Sequence, residues 1–135
     1  GPWPQQLECD GIGRVAVSVG EAMPMVAFSS IMASRDYLET APAVAFMRAY
    51  RNSLGWVRSA APAQIADRLG PYFPAVSADA LEDAVSGYQR IGCWPEDARI
   101  PENLYEQALD VFLETGGIPR RYRYADVVVE PPAPT

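Results

Sequence analysis

Apolar residues recur at helical spacing along most of this chain. From Thr40-Ala41-Pro42 onward, Ala43, Met47, Tyr50, Leu54 and Val57 fall on one face, while Arg48, Arg51, Asn52 and Arg58 lie mainly off it. That pattern predicts a long helix with Pro42 in its first turn, where a missing N–H costs little. Pro62 to Leu69 repeats the arrangement in miniature, with Ile65, Ala66 and Leu69 apolar and Gly70-Pro71 as the stop. Ser77 caps a predicted helix through Ile91 that turns Leu81, Ala84, Val85 and Tyr88 inward and ends at Gly92. A last helix begins at Ile100-Pro101, carries Leu104, Ala108, Val111 and Phe112, and stops at Gly116-Gly117. Shorter helical turns are predicted over residues 3–9, closed by Asp10-Gly11, and over residues 35–39 behind Ser34.

Two stretches read differently. Val15-Ala16-Val17-Ser18-Val19 and Met25 to Met32 are short runs of apolar, β-compatible residues flanking a Gly20–Pro24 turn, and each is expected to be a strand. Tyr122 to Val129 is expected to be a short closing strand or an extended packing segment. Two strands do not make a stable sheet. An α/β fold with two short strands and about five helices therefore reads as the edge and helical cover of a larger structure, ahead of a mainly helical domain with one hairpin.

Composition narrows the chemistry. All eleven basic residues are arginine, and lysine and histidine are absent. No Schiff-base or P-loop lysine, no histidine-based catalytic pair and no histidine-ligated metal can be assembled from these residues. The net charge of -6 argues against a nucleic-acid partner, and Arg120, Arg121 and Arg123 form one local cluster rather than a basic face. No apolar stretch is long enough to span a bilayer. Cys9 and Cys93 lack CxxC spacing and read as two unpaired thiols or, in an oxidising compartment, a disulfide. The 135 residues suffice for one domain. Gly1-Pro2 and the proline-rich Glu130 to Thr135, however, lead us to expect a piece of a longer protein.

The order of the pieces resembles the NMT1/THI5-like (SsuA-like) family, the substrate-binding proteins of ABC importers for nitrate, sulfonates, taurine and thiamine precursors. The matching text is Gly1-Pro2-Trp3-Pro4-Gln5-Gln6-Leu7-Glu8, Val15 to Val19, Phe28 to Ser34, and Arg35-Asp36-Tyr37-Leu38-Glu39 running into Ala45-Phe46-Met47-Arg48-Ala49-Tyr50. Trp94, Ile100, Pro101, Tyr105, Phe112, Gly116 to Ile118, Tyr124, Asp126 and Val127 follow the family's ending. Gly1 departs from the pattern, standing where the family usually carries an acid.

The resemblance implies the helix-rich C-terminal part of a type II periplasmic-binding-protein fold. Residues 1–27 would end the second lobe, 28–34 would be a return hinge strand, 35–129 the helical part of the first lobe, and 130–135 an extended tail. It implies capture of a small anionic or heteroaromatic molecule in the periplasm or another extracytoplasmic space. Delivery to ABC permease subunits follows, with membrane attachment only through the permease or an upstream lipid anchor, no cofactor, and no bond made or broken. Trp3 is a candidate for stacking on a planar ligand, against a bland role packing the chain's first residues. Phe28, Ser29 and Ser30 are candidates for holding a ring or an oxyanion, against hydroxyls that only satisfy nearby backbone.

The remaining charged groups have simple explanations. Arg35 and Asp36 read as an exposed helix start, and Asp79, Glu82 and Asp83 as anions favoured at a helix start. Glu96, Asp97 and Glu102 offer paired carboxylates without a pocket to raise a pKa. The rival functions are a thiamine-pyrimidine-synthase-like enzyme of the same fold, which would need histidine from elsewhere, and a free-standing helical interaction domain.

Overall fold

Two serines start helices where the sequence places them. The Ser77 hydroxyl accepts from the Ala80 amide at 3.2 Å and the Ser34 hydroxyl from the Tyr37 amide at 3.3 Å, each satisfying a donor that the first helical turn leaves open. The computed structural model describes residues 1–133, so positions 134 and 135 of the expected tail lie outside the described residues. The elements are α1 (Trp3–Cys9), α2 (Val19–Ala22), α3 (Arg35–Leu38), α4 (Ala41–Ser59) and α5 (Pro62–Leu69). A 3₁₀ turn (Gly70–Tyr72), α6 (Ala78–Arg90), α7 (Glu102–Glu114) and α8 (Tyr124–Val127) follow. Three of the expected glycine stops, Gly11, Gly92 and Gly116, take the left-handed backbone that ends a helix, with φ of 69°, 69° and 72°.

The α/β expectation is overturned, because no strand occurs among the described residues. Val15 to Ser18 is irregular and Val19 opens α2; Pro24 to Ser34 carries no regular element. The reason lies in where the backbone donors go. The Val15 amide donates to the Glu8 carboxylate at 2.8 Å, the Ala27 amide to the Leu104 carbonyl at 3.1 Å, and the Phe28 amide back to Val26 at 3.0 Å. β-Branched residues favour a strand only when a neighbouring strand takes their hydrogen bonds. The closing segment is not a strand either, since Tyr124–Val127 forms one helical turn.

The chain divides into two compact units. The first comprises Gly1–Met23 and Asn52–Glu96. There α5 and α1 both pack on α6, and Leu54, Ile65, Ala66, Ala80, Leu81, Ala84 and Val85 are buried. Burying each large aliphatic side chain stabilises the unit by about 1.5–3 kcal/mol. The Gly1 nitrogen lies 2.9 Å from the Tyr88 hydroxyl, and the Ser77 amide donates to the Gln6 side chain at 2.6 Å, so α1 runs antiparallel to α6. Cys9 is thereby at the Ser77 end of the pair and Cys93 beyond the Tyr88 end, eleven helical residues away, which is about 16 Å at 1.5 Å per residue. A disulfide needs Cα atoms within about 7 Å, and both thiols are free and exposed.

The second unit comprises Pro24–Arg51 and Asp97–Thr135. Its buried residues are Ala43 and Met47 of α4 with Ala108 and Leu109 of α7. Tyr105 and Tyr124 meet edge to face at 5.6 Å, and their hydroxyls donate to the Tyr122 and Ile100 carbonyls, tying α8 to both flanks of α7.

Candidate functional site

The segment after Pro24 presents an aromatic ring to solvent from a fixed backbone. Phe28 is 63% exposed, yet its ring stacks on Phe112 of α7 with centroids 5.4 Å apart and planes 23° from parallel. Two hydrogen bonds hold its backbone: Ala27 to Leu104 and Phe28 to Val26. Phe112 in turn packs close to Gly117, where a Cβ would stand 3.2 Å from the ring and 3.4 Å from the Phe112 carbonyl. Ser29 and Ser30 follow directly, exposed, with hydroxyls that make no hydrogen bond among the described residues. One face of a ring and two free hydroxyls can hold a planar molecule bearing an acceptor.

Trp3 belongs to the other unit, where it opens α1 and is 55% exposed behind a buried Pro2. Phe28, Ser29 and Ser30 are therefore brought together by one segment of one unit, and Trp3 stands apart from them in the division of the chain. Phe112 was visible in the sequence as an apolar residue of its helix, but no spacing pointed to its ring contact with Phe28.

The arginines are largely engaged. Arg35 donates to the Asp126 carbonyl at 3.0 Å, Arg123 forks onto the Asp126 carboxylate at 2.8 Å, and Arg121 bridges Glu106 and Asp110. Hydrogen bonds from Asp110 and Glu106 hold the Arg121 guanidinium above its already high pKa. Arg120 lies over the Tyr122 ring at 5.3 Å. The cluster near residue 121 is thus spent on its own unit.

Among the carboxylates, the Ala98 amide is the main group holding Asp97 below the usual range, with Arg51 and Arg99 adding to it and slight burial opposing. Glu96 pairs with Arg58 at 2.8 Å. Burial raises the Tyr105 phenol, helped by the Glu106 and Asp126 charges, and burial alone raises the Cys93 thiol. No group of three or more Cys, Asp or Glu able to hold a metal ion occurs among the described residues, and no described helix is long and apolar enough to cross a membrane.

The chain is similar to a protein of the binding class. That relative, from Bacillus subtilis (strain 168), carries the name "Putative binding protein YtlA" and is 25% identical over 129 residues. The match covers 94% of this chain and 39% of the relative, so the chain spans well under half of that protein's length. No known protein-family model matches the chain, and no solved structure matches it.

Proposed function

We propose that this chain is part of the substrate-binding component of an ABC importer. In that role it captures a small anionic or heteroaromatic molecule outside the cytoplasm and hands it to permease subunits without chemical change. The observation that carries the reading is the Phe28 ring, held on Phe112 at 5.4 Å with most of its surface open and followed by two hydroxyls that are unpaired among the described residues. A large apolar side chain left in water forgoes about 1.5–3 kcal/mol of burial. A backbone that fixes the ring there is arranged for something to cover it. The similarity to a protein named for binding supports the same class of role.

Calorimetric titration tests this, using the protein of natural length that carries this chain and a panel of nitrate, taurine, an alkyl sulfonate and an aminopyrimidine. One member should bind saturably and be recovered unaltered, and Phe28→Ala should weaken it at least tenfold, the loss of one well-packed aromatic contact. Binding of no member, equal binding by the variant, or a converted ligand would each sink the proposal.

A further inference from the structure

The first unit carries an open groove that the ligand reading does not use. It is lined by Trp56 of α4, Asp67, Arg68 and Leu69 at the end of α5, and Pro71 and Tyr72 of the 3₁₀ turn. Trp56 is 42% exposed and Tyr72 79% exposed, and the two rings make no stacking contact with each other or with another ring among the described residues. Asp67 and Arg68 are exposed and, among the described residues, neither pairs with another side chain. Trp, Tyr and Arg are the residue types that dominate protein-binding hot spots.

We infer that this groove binds an acidic, proline-rich segment, residues 129–135 of a second copy of the chain. Separated aromatic faces are what a polyproline II helix docks on, because that helix is preformed and its rings project at regular intervals. The chain contains such a segment, Val129-Glu130-Pro131-Pro132-Ala133-Pro134-Thr135, with a proline at each end of a PxxP run. Glu130, just before that run, is the segment's one charged side chain and complements Arg68. Successive helical residues diverge by about 100°, so Asp67 presents its carboxylate to a different side of the groove from Arg68. That asymmetry directs Glu130 toward Arg68 and rejects the reversed peptide. In its own chain Glu130 pairs with Arg99 at 3.1 Å, both groups being exposed. Exchanging one exposed ion pair for another is close to neutral, but moving the segment also breaks the bond from Arg51 to the Pro132 carbonyl at 2.8 Å, so burial of proline against Trp56 and Tyr72 has to outweigh that loss.

The test is an NMR titration of the chain with a synthetic peptide of residues 129–135, using indole assignments from single Trp→Phe variants. The Trp56 indole and Tyr72 ring should shift saturably while Trp3 and Trp94 stay in place. Tyr72→Ala, at a site too exposed to threaten folding, should weaken binding at least tenfold, and Arg68→Ala should weaken it several-fold at low salt only. No shift at millimolar peptide, or an equal shift with glycine at all three prolines, overturns the groove assignment. Sedimentation velocity then decides the occupant. Concentration-dependent association lost in Tyr72→Ala supports a second copy, and a chain that stays monomeric while binding the peptide overturns it.

Discussion

The Arg51 guanidinium donates to the Pro132 carbonyl at 2.8 Å, joining α4 to a segment 81 residues further along. The same side chain reaches Asp97 at 3.4 Å, and Arg99 lies between Asp97 and Glu130, so four charged groups strap residues 130–132 onto the second unit. Arg51 is the most buried of them, at 24% side-chain exposure, and its bond to the carbonyl is charge-assisted.

Replacing that residue should release the strap. Arg51→Ala is expected to cost about 1.5–3 kcal/mol, the range of a hydrogen bond to a charged group, and to lower the NMR backbone order parameters at Glu130 and Ala133 relative to wild type. Arg51→Lys should recover little, since an ammonium cannot reach two acceptors in the guanidinium's fork geometry. Asp97 adds a pH dependence whose sign is fixed. Its folded-state pKa is lowered, chiefly by the Ala98 amide and then by Arg51, so its contribution is present at neutral pH and disappears as pH falls through that lowered value. The acid-side loss of stability should therefore be shallower in Arg51→Ala. Equal order parameters in wild type and variant would remove the strap from consideration.

Ile65 is the large side chain most completely enclosed, at 1% exposure, on the α5 face that meets α6. Ile65→Ala should lose about 2–5 kcal/mol, transfer cost plus cavity, against less than about 0.5 kcal/mol for an exposed position such as Gln64→Ala. Urea midpoints at constant slope read both values. A loss under 1 kcal/mol would mean that the α5–α6 contact is not a core.

How far the sequence foretold these contacts depends on their range. The α4 stripe, the Ser77 cap and the stops at Gly92 and Gly116 follow from neighbours within one or two helical turns, and all were legible. The Val15 and Met25 runs were misread because apolar alternation records a capacity to pair, and the pairing partner is a separate stretch of chain that composition cannot supply. Phe28 was legible as a candidate aromatic. Its partner Phe112 was not, since their meeting depends on Ala27 docking onto Leu104 across most of the second unit.

The two cysteines offer a direct check on the antiparallel α1–α6 pairing. With Cys9 and Cys93 at opposite ends of that pair, mass spectrometry of the oxidised protein should find no intramolecular disulfide, and a thiol reagent should label both. Cys93 is exposed, yet partial desolvation of its sulfur raises the thiol pKa, and the thiolate is the reactive form. Labelling at Cys93 should therefore be slow near neutral pH and rise about tenfold per pH unit below its pKa. An intramolecular Cys9–Cys93 bridge formed under native conditions would contradict the helix pairing.

Gly117 tests the aromatic platform without touching a ligand-facing atom. A Cβ there would sit 3.2 Å from the Phe112 ring and 3.4 Å from its carbonyl, tight enough that the ring must yield by a few tenths of an ångström. Phe112 is only half-buried and stacks on the exposed Phe28 ring, so it has room to do so. Gly117→Ala should then leave stability within about 1 kcal/mol, because the strain is offset by the lower entropy of the unfolded alanine chain. The displaced Phe112 ring should alter the ring-current shifts of Phe28, and any ligand held on that ring should bind measurably more weakly with the rest of the spectrum unchanged. A variant that loses several kcal/mol would show that Phe112 is locked, and that the Phe28 platform is a rigid extension of the α7 packing.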